Sequence, residues 1–268
     1  MKILITNDDG IYARGLWELA GSLKMVGEVI IAAPDRGTPG QGTKVTTENL
    51  VKATRIRPRA GGMSDARCYS VKGSPSDCVI MALSALVDDE IDLVVSGINN
   101  GANVGEDILI SGTVGAALQG YLRGIPSIAV SVDAEENFDF RAASQVASAM
   151  VKVLEMKILP QRSLLNINVP NLPLNQIKGI YLTRLGRVPL CDAIECGDSG
   201  RDGYYLITYE NLLPPGEEGT DVWAISHDMI SISPVALEGT VLSASLVAHP
   251  SLERLVQTLL SELGIASG

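Results

Sequence analysis

Two carboxylates stand side by side at the end of an apolar run: Met1-Lys2-Ile3-Leu4-Ile5-Thr6 leads directly into Asn7-Asp8-Asp9-Gly10. Adjacent carboxylates repel unless a positive group stands between them, and hard divalent cations such as magnesium or manganese take carboxylate oxygen readily. A metal site is one reading of Asp8 and Asp9. The plainer one is that either residue caps the next helix or shapes the turn, as aspartate often does. A second stretch, Gly97-Ile98-Asn99-Asn100-Gly101-Ala102-Asn103-Val104-Gly105, interleaves small residues with amides. Such a loop lets backbone approach a ligand closely while the amides supply oxygen or N–H groups. Asn99 is placed to offer a neutral oxygen to the same cation, although asparagine is also a common turn residue. Finally, Ser111-Gly112-Thr113 opens a helix, where free N–H groups, hydroxyls and the helix dipole make an anion site. Capping is the competing role for both hydroxyls.

These residues need a scaffold that brings three loops to one edge, and the hydropathy pattern supplies one. The opening run, Val29-Ile30-Ile31-Ala32-Ala33, Ile91 to Ser96, Ser127 to Val132 and Leu164 to Val169 read as buried strands. Helix-period segments alternate with them at about Gly15 to Val26, Ser74 to Leu86, Ser111 to Gly124 and Arg141 to Met156. That alternation predicts an α/β chain with a Rossmann-like core of mostly parallel strands and helices on both faces. In such sheets ligands bind beyond the carboxyl ends of the strands, where Asp8, Asp9 and Asn99 all fall. The loop Pro34-Asp35-Arg36-Gly37-Thr38-Pro39-Gly40-Gln41-Gly42 reaches the same edge if the first two strands are parallel neighbours. Ser74 with Pro75 and Asp77 spells a capped helix start. Lys52, Arg55, Arg57 and Arg59 mark a basic strand that suits a solvated sheet edge.

Beyond Pro170 the texture changes to short strands and turns, including Gly203 to Tyr209 and Met229 to Ser233. The expected organisation is a catalytic core over 1–175, hairpin extensions over 176–248 and a closing helix over 249–268, within a single domain overall. Protruding hairpins are often exchanged between subunits.

Bulk properties restrict the function further. The 268 residues are 46% hydrophobic but only 4% aromatic, which suits a core of Ile, Val, Leu and Ala under helices. A net charge of -10 opposes a nucleic-acid polymer as the main partner but leaves room for a small phosphorylated ligand at a local metal site. No apolar run is long enough for a membrane span, and Asp8 and Asp9 interrupt anything resembling a secretory signal. Cys68, Cys78, Cys191 and Cys196 form no C-x-x-C pair, so reduced thiols in a cytoplasmic protein are expected. A metal site using Cys191 and Cys196 would lack its remaining ligands. His227 and His249 lie away from every motif, and no nucleophile elbow is present, so covalent catalysis has no obvious nucleophile. Metal-activated water is the remaining route.

Taken in order, Asn7-Asp8-Asp9-Gly10, Ala33-Pro34-Asp35-Arg36, Ser96-Gly97-Ile98-Asn99 with Asn103, and Ser111-Gly112-Thr113-Val114 closely resemble the SurE family, the survival-protein nucleotidases. Weaker echoes are Gly73 to Cys78, Asn166-Ile167-Asn168-Val169-Pro170, Thr183 to Arg187 and Ser231 to Pro234. The resemblance implies a metal-dependent phosphomonoesterase for nucleoside 5′- and 3′-monophosphates, using Mg2+ or Mn2+. It also implies a homodimer, sometimes a tetramer, with an exchanged C-terminal part. Carried over, Asp8, Asp9 and Asn99 are the metal ligands, and Asn103, Ser111, Gly112 and Thr113 face the phosphate. The family's fourth ligand is a serine hydroxyl, but Pro39 occupies that position and has no side-chain oxygen. Thr38 beside it, a backbone carbonyl or a water can substitute; otherwise the metal binds more weakly. Ile110 and Arg14 also depart from the family's usual aromatic and proline. Two rival readings are a receiver-like phospho-acceptor module and a nucleotide binder weakened by the Pro39 change.

Overall fold

The computed structural model describes residues 1–58, 63–134, 136–157, 162–187, 216–235 and 250–265 in full, and the strands at 192–199, 202–209, 236–238 and 241–243 by their backbone. Cys191, the side chain of Cys196, Arg59 and His249 lie outside these residues, and so does the cysteine-pair reading.

The centre is a nine-stranded sheet in the order β3 (Lys52–Ile56), β4 (Arg67–Lys72), β2 (Glu28–Pro34), β1 (Lys2–Thr6), β5 (Leu93–Asn100), β6 (Ser127–Asp133), β7 (Leu164–Pro170), β11 (Met229–Pro234) and β8 (Gly179–Leu182). Neighbours from β4 to β7 are parallel, while β3 runs antiparallel to β4 and β11 antiparallel to β7. Helices cover both faces. Ile3 and Ile5 of β1 belong to one core cluster with α1 (Arg14–Leu23), α4 (Arg141–Glu155) and α6 (Pro250–Leu263), whereas Leu4 belongs to the cluster on the other face with α2 (Pro75–Met81) and α3 (Gly112–Leu122). Burying each such side chain contributes roughly 1.5–3 kcal/mol, so a strand apolar on both faces is held at the middle of the sheet.

The helical stripe expected after β1 is present: Leu16, Leu19, Ala20 and Leu23 of α1 are buried. Trp17 packs beside them, its indole N–H donating to the Ile11 carbonyl at 2.8 Å. The basic segment is an edge strand, β3, with mostly exposed side chains. At the start of α2, Ser74 and Asp77 exchange side-chain-to-backbone hydrogen bonds in a complete capping box.

Three features differ from the sequence expectation. The helix after Ser74 changes at Ala82–Leu86 into a wider π turn. Strand β5 does not stop at Ser96: it continues to Asn100, with a register shift against β6 between Ser96 and Asn99 that accommodates the Gly97 irregularity. In the later half, β8 and β11 join the main sheet instead of forming a separate hairpin, and a short helix, α5 (Asp221–Ser226), lies between the strands. Two antiparallel pairs do stand as separate two-stranded sheets, β9 (Asp192–Ser199) with β10 (Asp202–Tyr209) and β12 (Ala236–Glu238) with β13 (Val241–Ser243). Among the described residues no helix is long and apolar enough to cross a membrane.

Candidate functional site

The chain leaves β1 towards β2 on one side of the sheet and leaves β5 towards β6 on the other. Between β1 and β5 the order reverses, and the crevice there is the natural ligand position of a doubly wound sheet. Register pairs Thr6 with Ser96, so the Asp8-Asp9 turn and the Asn99 end of β5 emerge side by side.

Asn7 shapes the turn. Its amide donates to the Gly10 carbonyl at 3.1 Å and accepts the Gly10 N–H at 3.2 Å, closing a loop around the two carboxylates. Gly10 adopts φ +100°, and a Cβ there would stand 2.8 Å from the Arg36 carbonyl carbon, so only glycine lets the 34–42 loop lie against this turn. That loop is secured at both ends. The Thr38 N–H donates to the Asp8 carbonyl at 2.8 Å, and the Gly42 N–H to the Ile110 carbonyl at 2.9 Å. Farther along, Asp77 accepts from both the N–H and the hydroxyl of Thr46, at 2.8 and 2.7 Å. Burial opposes ionisation of Asp77, but the donors at Thr46 and Ser74 outweigh it and leave its pKa below the usual carboxylate value.

Neither aspartate caps the helix that follows the turn. The residue before α1 is Ala13, and no side chain caps that helix. Asp8 instead faces α3, where its Oδ1 accepts the Thr113 hydroxyl at 2.5 Å. Burial raises the Asp8 pKa, opposed first by Thr113 and then by backbone N–H groups that include those of Thr113 and Gly112. Gly112 leaves room for this approach: a Cβ there would lie 2.7 Å from Asp8 Cβ and 2.8 Å from its Oδ2. Asp9 is half-buried. Its pKa rises to about 6 through burial and the charge of Asp8, against a nearby Asn100 backbone N–H. The Oδ2 atom of Asp9 is buried without a hydrogen-bond partner, and so is the hydroxyl of Thr38. Among the described residues no Lys, Arg or His pairs with Asp8 or Asp9.

The remaining sequence-nominated residues lie on the β5–α3 segment, where the start of α3 meets Asp8 and the Asn100 N–H meets Asp9, while Asn103 is bonded into β6 and β7. Asn99 spends its amide N–H on the Gly101 carbonyl at 2.8 Å, which leaves Oδ1 as an acceptor. Ser111 is the N-cap of α3 and accepts the Val114 N–H at 3.2 Å. An oxygen occupied in that way directs its own proton elsewhere, as a donor. Asn103 is buried, its N–H bonded to Asn168 Oδ1 at 2.8 Å and its amide to the Ser131 hydroxyl at 2.7 Å. Ser131, Asn166, Asn168 and Asp221, which bond residues 103 and 105, are residues to which sequence reasoning gave no role. Two amides at i and i+2 in the apolar run Leu164 to Val169 were the available signal, since they share one face of a buried strand.

The oxygen set suits a hard cation. Two carboxylates, a free amide oxygen and a hydroxyl without a partner stand where an uncompensated acid pair is buried, and Mg2+ or Mn2+ takes such donors. No group of three or more His, Cys, Asp or Glu side chains arranged to hold a metal is present among the described residues, so neutral oxygens must complete this set.

Comparison with known proteins agrees with the geometry. Residues 3–191 match the family model described as survival protein SurE. A curated protein from Dehalococcoides mccartyi named 5′-nucleotidase SurE is 46% identical over 235 residues, covering 87% of this chain and 88% of that one. Another of that name from Aeromonas hydrophila is 41% identical over 245 residues, covering 91% and 95%. Among solved structures, the SurE protein from Aquifex aeolicus superposes with a TM-score of 0.76 at 34% identity, covering 95% of this chain and all of that one.

Proposed function

The chain belongs to the SurE family, and from that premise we propose that it is a 5′-nucleotidase. In this reading it hydrolyses nucleoside 5′- and 3′-monophosphates with a divalent cation held by Asp8, Asp9 and Asn99. The observation that carries the reading is the pair of adjacent carboxylates at the β1–β5 switch point, with no cationic side chain paired to either among the described residues and one oxygen of Asp9 unpartnered. Thr38 supports it: its backbone N–H is fixed on Asp8 and its hydroxyl has no other partner, so it takes the place that Pro39 cannot fill.

Bound there, Mg2+ or Mn2+ would orient the phosphate and lower the pKa of a water beside it. The chain's own residues supply the rest. Thr113 fixes the direction of the Asp8 carboxylate through its hydroxyl. The Ser111 hydroxyl and the first turn of α3 hold the phosphate oxygens and stabilise charge added at phosphorus. Asn103 is assigned to the phosphate as well, as the family resemblance implies. Asp9, the less buried of the two carboxylates, accepts the proton of the attacking water. The new P–O bond forms opposite the nucleoside oxygen, the ester bond breaks with its electron pair going to that oxygen, which takes back the proton held by Asp9, and nucleoside and inorganic phosphate leave. The separately paired β9–β10 hairpin is the segment we assign to exchange between two copies.

The reading is tested by phosphate release from a panel of nucleoside monophosphates in Mn2+ or Mg2+, with and without a chelator. Release that the chelator stops is expected; nucleotide binding with no release would establish the weakened-binder alternative instead. Thr38→Ala is expected to lower Mn2+ affinity about tenfold, or roughly 1.4 kcal/mol, in titration calorimetry, with Thr38→Ser close to wild type. Equal affinity in all three proteins would remove Thr38 from the ligand set.

A further inference from the structure

We propose that Asn168 and Asn166 of β7, together with Ser131 of β6, are positioning residues that fix the anion-facing loop by gripping Asn103 from inside the sheet. The inference rests on the nucleotidase reading, in which that loop meets the phosphate.

The grip engages almost every polar group that Asn103 has. Asn168 holds its peptide from two directions, with Oδ1 accepting the Asn103 N–H at 2.8 Å and Nδ2 donating to the Asn103 carbonyl at 2.9 Å. Asn166 adds a second donor to that carbonyl at 2.8 Å. The Asn103 side chain is oriented separately, by its bond to Ser131 at 2.7 Å. Two residues on, the Gly105 N–H donates to Asp221 Oδ2 at 2.8 Å, and Asp221 Oδ1 accepts the Gly186 and Val222 N–H groups at 2.7 and 2.9 Å. Residues 103 to 105 are therefore held at both ends by side chains from β6, β7 and α5.

Stability alone does not account for this. Asn166, Asn168, Ser131 and Asp221 are all fully buried, in strands and a helix start where apolar residues would pack without desolvating amides or a carboxylate. The network is also incompletely satisfied, because Asn166 Oδ1 has no partner. A polar cluster with an orphan acceptor is a poor way to stabilise a core but a good way to impose one geometry on a loop. Catalytic loops need that imposition, since a displacement of about 1 Å at a reacting phosphate can reduce rate by 10².

The experiment compares wild type, Ser131→Ala and Asn168→Ala for KM and kcat with a nucleoside monophosphate, inhibition by inorganic phosphate, Mn2+ affinity by calorimetry, and thermal melting. Ser131→Ala frees only the Asn103 side chain. It is expected to raise KM and the phosphate inhibition constant about 5- to 10-fold, with Mn2+ affinity and melting near wild type. Asn168→Ala is expected to raise both constants at least about 50-fold, again with Mn2+ affinity kept. Unchanged KM and phosphate inhibition in Ser131→Ala overturn the proposal, whether or not Asn168→Ala folds. So does a parallel loss of Mn2+ affinity, which would make the network a general support of the crevice. A wild type that releases no phosphate defeats the nucleotidase reading and this inference together, whereas an active wild type with unaltered variants defeats only the inference.

Discussion

Replacing Asp9 with asparagine is expected to lower metal-dependent phosphate release at least about a thousand-fold, some 4 kcal/mol of transition-state stabilisation, while leaving the metal-free protein at least as stable as wild type. The two halves of that expectation come from the same carboxylate. Asp9 is held beside Asp8 in a buried turn, and burial together with that neighbouring charge raises its pKa from 3.8 to about 6. An amide at this position keeps an oxygen to accept from the Asn100 backbone but carries no charge for Asp8 to repel. It also cannot take up a proton from water, and it binds a cation weakly.

The sign of the stability effect follows from linkage. A carboxyl whose folded-state pKa is raised favours the fold when protonated. That contribution is complete below the unfolded value near 4 and is lost as pH rises through about 6. The metal-free wild type should therefore lose stability relative to Asp9→Asn between pH 4 and pH 7, by at most about 3 kcal/mol from the size of the shift and less with solvent screening at a half-buried group. Added Mn2+ should reverse the order by stabilising wild type alone. Thermal melts of both proteins at pH 4.5 and 7.5, with chelator and with Mn2+, measure both effects. An Asp9→Asn protein that turns over normally would end the metal reading, and one that fails to fold in chelator would mean that the carboxylate is structural.

The parts of this site visible in the sequence are those whose chemistry and position are local. An apolar run ending in Asp8-Asp9-Gly10 carries both the strand and the acid pair, and Ser74 with Asp77 states the start of α2 within four residues. The route of β5 is different. Gly97 reads as the end of a strand because glycine interrupts pairing, yet the strand resumes since Asn99 and Asn100 find Ser131 and Val132 on β6, a partner the local sequence does not contain. The same limit applies to β8 and β11. Their short apolar alternation specifies strands but not the edge they join, and β11 is placed by pairing with β7, where Ser231 stands opposite Asn168. A buried ladder of hydroxyls, with Thr183 bonded at 2.8 Å to both Ser231 and Ser233, completes that side of the sheet. Asn166 and Asn168 show the limit within the site itself. Their residue types were conspicuous, but their partner, Asn103, lies more than sixty positions earlier and is brought to them by one intervening strand, β6, and two helices, α3 and α4.

Gly112→Ala is expected to give a folded protein with kcat/KM lowered at least about a hundred-fold, near 2.7 kcal/mol, even though alanine is the better helix former by about 1 kcal/mol. The added methyl would meet Asp8 Cβ at 2.7 Å and Oδ2 at 2.8 Å, closer than ordinary contact allows. Neither side can withdraw easily. Asp8 is fixed by the Thr113 hydroxyl on its side chain and by the Thr38 N–H on its carbonyl, while the start of α3 is fixed by the Ser111 cap and by the Gly42 bond to Ile110. The outcome that relieves the overlap is rotation of the Asp8 carboxylate away from Thr113 and out of the crevice, which removes a ligand without removing a charge. Mn2+ affinity should then fall about tenfold along with turnover, since one of the two carboxylates no longer points at the cation. Gly21→Ala in α1 is the control: a Cβ there meets nothing within 4 Å, so the same substitution should raise stability by up to about 1 kcal/mol and leave turnover alone. Full activity in Gly112→Ala would show that Asp8 acts from some other position than the one beside α3, and the assignment of the α3 start to the phosphate would fall with it.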